Sequence, residues 1–176
     1  MAEAPRSRRL FFALWPDDET RERIAHATRK AVRGSGGRPI ASGNLHTTVA
    51  FLGSVPEAQL ADVMALGEGC GTGPFEITLD RVEHWAKPMV LCVGCKKAPP
   101  EATRLADGLR IRLGRAGFAP DLKPFRSHVT LARKVIKPHA LGAIHPVTWQ
   151  VSDLALVESD TTPEGSRYQV LQSWRL

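Results

Sequence analysis

The sequence predicts an α+β fold in two lobes, with mostly antiparallel strands in two sheets and helices flanking them. Three observations lead there. Apolar and β-branched runs alternate with helical patterns in the order strand, helix, strand, helix, hairpin, helix, strand, hairpin, which suits antiparallel pairing better than a parallel sheet. The 176 residues suffice for one unit with a real core, spanning 1–176, but not for two ordinary domains. A short motif, His-x-Thr, occurs at His46 and again at His128, 82 residues later. A duplication at half the chain length suits two lobes related by a pseudo-two-fold axis.

The elements follow in order. Arg9 to Trp15 is an apolar run bounded by Pro16 and predicts a buried strand. Asp17 is placed to cap a helix, with Asp18 and Glu19 in its positive first turn. Ile24, Ala25, Thr28 and Val32 keep helical spacing, and Gly34 to Gly37 stops the helix. A loop leads to the strand His46–Gly53, and Pro56 opens a second helix to about Leu66. Gly67 to Pro74 is glycine-rich and predicts a loop. Phe75 to Trp85 and Met89 to Val93 predict two strands turning at Lys87-Pro88. Pro99-Pro100 opens a third helix with Leu105, Leu109 and Leu113 on one side and Gly117 at its end. Ser127 to Arg133, Val147 to Glu158 and Arg167 to Trp174 predict the last three strands.

Composition narrows the class of function. Hydrophobic residues make up 43% and charged residues 24%, a globular balance. No apolar run reaches the roughly 20 residues that span a bilayer, and the first residues lack the apolar core of a secretory signal. The expectation is a cytoplasmic monomer away from membranes. A net charge of +6 favours anionic partners, nucleic acid among them. The three cysteines Cys70, Cys92 and Cys95 do not make a disulfide framework. Cys92 and Cys95 form a CxxC without a second pair, and read as packing residues rather than a metal site. No HExxH, P-loop or GxGxxG is present, so zinc hydrolysis and nucleoside-triphosphate folds lack support.

The repeated motif carries chemistry. On a strand, positions i and i+2 share a face, so His46 points with Thr48 and His128 with Thr130. Each pair offers an imidazole to move a proton and a hydroxyl to hold a phosphate oxygen. Displacement at phosphorus needs a base on the attacking oxygen and an acid on the departing one, and histidine titrates in the range that serves both.

The extended strings resemble the 2H phosphoesterase superfamily, and within it the bacterial RNA 2′,3′-cyclic phosphodiesterases, also called 2′-5′ RNA ligases. The resemblance runs from Arg9-Leu-Phe-Phe-Ala-Leu-Trp-Pro16 through Leu45-His-Thr-Thr-Val-Ala-Phe-Leu-Gly53 and Phe125-Arg-Ser-His-Val-Thr-Leu-Ala-Arg133 to Leu156-Val-Glu-Ser159, Tyr168 and Trp174-Arg-Leu176. It implies a bilobal fold around a central groove, and hydrolysis of RNA 2′,3′-cyclic phosphate ends to 2′-phosphomonoesters with no metal or other cofactor. It implies that His46 is the proton donor, His128 the proton acceptor, and Thr48, Thr130 and Arg133 the phosphate ligands. Ser127 stands where the family often has proline, and Val49 where leucine is common.

Strand alternation conflicts with one of these roles. Arg133 is an odd number of residues from His128 and falls on the opposite face unless a bulge intervenes, while Arg126 has the matching parity and is the reserve phosphate contact. Phe51, Phe12 and Tyr168 are candidates to stack on a base, although Phe51 shares parity with Val49 and so also suits the core. The partners expected are RNA or oligonucleotide ends, with small cyclic or 2′-5′ nucleotides as the alternative substrate. A non-catalytic binder of 2′-5′ RNA is a further alternative that the intact histidines and threonines oppose.

Overall fold

The structure, a computed structural model, describes residues 6–121, 123–139, 141–163 and 165–176. It is α+β and almost wholly antiparallel. Strands β1 (Ser7–Leu14) and β3 (Thr47–Pro56) pair with β9 (Asp153–Thr162) and β10 (Gly165–Arg175) in one four-stranded sheet, order β10-β9-β1-β3. The second sheet has the order β2-β7-β6-β5, from β2 (Arg38–Pro39), β5 (Arg81–Trp85), β6 (Val90–Gly94) and β7 (His128–Arg133). Strands β4 (Phe75–Leu79) and β8 (Val147–Val151) form a separate two-stranded ribbon.

The duplication is visible in the topology. Helix α1 (Asp18–Arg33) joins the antiparallel pair β1 and β3, and helix α3 (Pro100–Arg115) joins the antiparallel pair β6 and β7. The ribbon ties the halves, because β4 runs on into β5 of the second sheet and β8 into β9 of the first.

Two strands expected as single runs are therefore broken. Phe75–Trp85 divides at Asp80, whose carboxylate accepts from the Lys96 amide at 2.8 Å and whose own amide donates to the Gly94 carbonyl at 3.0 Å. Val147–Glu158 divides at Ser152. Each half pairs in a different sheet, which one polar residue in an apolar run does not announce. The second helix starts later than Pro56, at α2 (Leu60–Gly67), because β3 continues until Pro56 pairs with Ser7. Gly67 is the last residue of that helix, and a Cβ there would lie 2.6 Å from the Trp174 ring.

Helix α1 forms as its sequence dictates. The Asp17 carboxylate accepts from the Thr20 amide at 2.7 Å, satisfying one orphan donor of the first turn. Ile24, Thr28 and Ala31 face the core, and the Thr28 hydroxyl donates to the Ile24 carbonyl instead of remaining unpaired. On α3, Leu105, Leu109 and Leu113 are all buried. Strand β1 is covered on both faces. Leu10, Phe12 and Leu14 enter the main core, while Phe11 and Ala13 pack with Ala155 and Val157 in a second cluster. Fully burying a side chain of this size contributes about 1.5–3 kcal/mol. Phe12 is wholly inaccessible and packs against Trp174, which removes it from the candidates for base stacking. No helix among the described residues is long and apolar enough to cross a membrane.

Candidate active site

The first sheet presents β3 and the second presents β7, and these strands approach each other across a groove. His46 immediately precedes β3 and His128 begins β7. The two imidazoles are held alike. His46 Nδ1 donates to the Asn44 carbonyl at 2.6 Å, and His128 Nδ1 donates to the Arg126 carbonyl at 2.7 Å. A carbonyl only accepts, so the Nδ1 proton is fixed in both rings and Nε2 is left for chemistry. His46 Nε2 meets the Thr48 hydroxyl at 3.1 Å. Thr130, half-buried, stands two residues beyond His128 on the same face of β7.

The parity conflict resolves through a bulge that recurs in both copies. On β3, Thr48 pairs with Ala13 and Ala50 with Phe12, leaving Val49 unpaired. On β7, Thr130 pairs with Cys92 and Ala132 with Leu91, leaving Leu131 without a partner on β6. The extra residue follows the motif threonine each time and shifts alternation by one. Arg133 thereby joins the face of His128 and Thr130, and its charge is felt at His46. Phe51 is the corresponding residue of the first copy. It is 42% exposed rather than in the core, with the Arg9 guanidinium 4.7 Å above its ring.

Two hollows extend the site. One of about 670 Å³ is lined by Thr48, Phe51, Trp85, Phe125, Arg126 and His128 among others. The other, about 310 Å³, includes Asn44, Arg38, Arg133, Lys134 and Tyr168. Both carry cations on their walls, Lys87, Arg110, Lys123 and Arg126 in the first and Arg38, Arg133 and Lys134 in the second.

The aromatic surroundings of the histidines were largely hidden in the sequence. Trp15 stacks on His46 with ring centres 5.3 Å apart at 20°, Phe11 lies at 5.0 Å, and Tyr168 meets it edge-on at 5.2 Å. Trp85 lies 4.5 Å from His128. Of these rings only Tyr168 carries a sequence signal, and it packs against His46 itself. Trp15 and Phe11 share the face of β1 opposite Phe12 and Leu14, but both faces of that strand are apolar, so parity alone does not say which of them meets the histidine. Trp85 gave no such signal. Arg126 donates to Glu83 at 2.8 Å and lies 4.8 Å over Trp85, so its guanidinium is already engaged.

Burial drives the titration of both rings. It pushes His46 down from 6.5 to about 4, helped by the charges of Arg133 and His128 and opposed by the Asn44 carbonyl. It also lowers His128, against the pull of the Arg126 carbonyl. A stability consequence follows for His46. Its folded value lies below its unfolded one, so the unfolded chain takes up the proton first, and stability falls as pH drops from about 6.5 toward 4. Denaturant unfolding at pH 7 and pH 4.5 should show His46→Gln losing less stability over that interval than the unaltered protein. Equal losses would mean that the imidazole is not buried in its neutral form.

Cys92 is buried in β6, and burial pushes its thiol up to about 12, the behaviour of a packing residue. Among the described residues no three His, Cys, Asp or Glu side chains converge as metal ligands would.

A groove between two sheets, with a His-x-Thr and a matching bulge on each, defines a two-histidine phosphoesterase. The chain belongs to the LigT-like phosphoesterase family, whose pattern matches residues 14–92. It is 33% identical over 174 residues to an RNA 2′,3′-cyclic phosphodiesterase of Escherichia coli, covering 96% of each chain. It is 34% identical over 183 residues to the enzyme of the same name from Thermus thermophilus, covering 96% of this chain and 90% of that one. The crystal structure of E. coli LigT complexed with 3′-AMP superposes with a TM-score of 0.89 at 31% identity, covering 97% of this chain and 99% of the other.

Proposed function

We propose that the protein hydrolyses RNA 2′,3′-cyclic phosphate ends to 2′-phosphomonoesters, with His46 as proton donor and His128 as proton acceptor. The observation that carries this reading is the matched pair of imidazoles, each with Nδ1 tied to the carbonyl two residues back and Nε2 turned to the chemistry. Neutral His128 has a lone pair on Nε2 and takes the proton of the attacking water. Protonated His46 carries a hydrogen on Nε2 and delivers it to the departing 3′ oxygen, leaving the phosphate on the 2′ oxygen. The Thr48 and Thr130 hydroxyls and the Arg133 guanidinium hold the non-bridging oxygens and offset the charge that grows in the transition state. Burial keeps resting His46 neutral. An anionic phosphodiester against Nε2 reverses that bias, so substrate binding charges the acid that the reaction then uses.

Phe51 and Tyr168, at the two hollows, are the stacking candidates for bases, and the cationic walls favour an RNA strand over a lone base. A small cyclic or 2′-5′ nucleotide substrate is the second reading, favoured by the crystal structures of E. coli LigT with 3′-AMP and with NADP+. Comparing kcat/KM for a short RNA and for a nucleoside 2′,3′-cyclic phosphate separates the two. We place the enzyme in the cytoplasm as a monomer.

The Arg133 role has its own test. Arg133→Ala should weaken phosphate binding by about 1.5–3 kcal/mol, the range for a charge-assisted contact. Arg126→Ala should leave KM less changed, because its guanidinium pairs with Glu83. A rise in KM for Arg126→Ala alone would exchange their roles.

A further inference from the structure

Each histidine is backed by a tryptophan, and each tryptophan by an arginine. Arg21 lies 5.0 Å over Trp15, which stacks on His46; Arg126 lies 4.8 Å over Trp85, which packs on His128. The two columns differ in their acids. The carboxylate paired with Arg21 is Asp18, whose side chain is 93% exposed. The carboxylate of the second column is Glu83, whose side chain is 22% exposed. One oxygen of Glu83, Oε2, accepts from Trp85 Nε1 at 2.9 Å and from Arg126 Nη2 at 2.8 Å. The same Arg126 offers its backbone carbonyl to His128 Nδ1 at 2.7 Å. Glu83 thus fastens both groups that hold His128, the ring against its face and the residue that orients its Nδ1 proton, without itself hydrogen-bonding the imidazole.

We propose that Glu83 is the positioning residue of the His128 half of the site, fixing the ring through Trp85 and Arg126 and balancing the Arg126 charge so that His128 can accept a proton. This rests on the proposed role of His128 as acceptor. A base that gains a proton beside an unbalanced guanidinium is a weaker base, and a carboxylate on that guanidinium removes the penalty. The charged groups facing this cluster come from several elements. Arg81 on β5 lies 3.6 Å from the other Glu83 oxygen, and the Cys92 thiol sits opposite Glu83 on β6. His46 lies across the groove, and Lys87, Arg110 and Lys123 line the hollow beside His128. Nearly all are cationic or neutral, so Glu83 is the principal negative charge near that ring, with Asp121 further along the same hollow. In keeping with the geometry, Glu83 draws His128 upward and Arg126 draws it downward, both smaller than the effect of burial.

The test compares Glu83→Gln, Glu83→Asp and the double variant Glu83→Gln/Arg126→Gln with the unaltered full chain. Glutamine keeps an acceptor for Trp85 Nε1 and removes only the charge. In an NMR titration of the imidazoles, Glu83→Gln should move His128 to lower pH, Glu83→Asp should move it back toward the original value, and the double variant, which removes both charges of the pair, should do the same. On an RNA 2′,3′-cyclic phosphate, Glu83→Gln should lower kcat by about ten- to a hundredfold, as small misplacements of a reacting group do, with KM changed by less than about threefold. The acidic limb of its pH profile should shift to lower pH. An unchanged His128 titration in Glu83→Gln, or a loss confined to KM, overturns the proposal. Failure of the unaltered protein to turn over the cyclic phosphate defeats the proposed function instead, and the titration still decides what Glu83 does. Glu83→Gln is nearly isosteric; should it fail to fold, two other titrations carry the decision: Arg126→Gln should move His128 to higher pH and Glu83→Asp should leave it near its original value, and a downward shift in Arg126→Gln overturns the proposal.

Discussion

Alanine at His46 or at His128 is expected to lower kcat by about a hundred- to ten-thousandfold, the range supplied by a positioned acid or base. The double variant should lose little more than either single one, because groups that act in one concerted proton relay are not additive. Thr48→Ala and Thr130→Ala should be milder, since a neutral hydrogen bond contributes about 0.5–1.5 kcal/mol. The rate should follow a bell-shaped pH profile whose limbs belong to the coupled pair. The basic limb should lie at lower pH in kcat/KM than in kcat. In the free enzyme burial holds His46 near about 4, and on the proposed mechanism the bound phosphodiester anion restores its proton. Steady-state kinetics on the three histidine variants checks this. Additive losses would mean that the rings work in separate steps.

The second large effect separates the donor from the acceptor. A substrate with a very good leaving group needs no proton on its departing oxygen. It should therefore restore most of the activity lost in His46→Ala, and little of that lost in His128→Ala, where the water still lacks its base. The comparison is the ratio of kcat/KM for the activated and natural substrates in each variant. Equal restoration in both, or restoration of His128→Ala alone, reverses the donor and acceptor while leaving a two-histidine site.

The elements whose patterns are local were legible in the sequence. The Asp17 cap, the Leu105–Leu109–Leu113 face of α3 and the apolar run of β1 depend on neighbours within a turn or two, and each forms where its residues imply. The two histidines and their threonines were legible for the same reason, because alternation over three residues survives any later irregularity. Beyond the threonine the rule failed, and it failed twice in the same way. A bulge at Val49 and another at Leu131 are set by pairing to β1 and β6, which no run of seven residues encodes. They turn Phe51 out to the groove and Arg133 toward His46. The choice between Phe11 and Phe12 also depended on knowing which face of β1 meets the core, since both faces are buried. Phe12 went inward, and Phe11 became the neighbour of His46. Trp85 packs on His128 and Glu83 pairs with Arg126, 43 residues further along the chain, contacts made only by the folded sheet.

The most direct test of a two-histidine phosphodiesterase is the product formed from a short RNA ending in a 2′,3′-cyclic phosphate, incubated with EDTA present. The proposed mechanism gives both proton transfers to side chains, so chelation should leave the rate unchanged, and with His46 as the proposed donor to the 3′ oxygen the RNA should end in a 2′-phosphomonoester. A 3′-phosphate product would contradict that assignment, and a loss of turnover restored by zinc or manganese would contradict the mechanism itself.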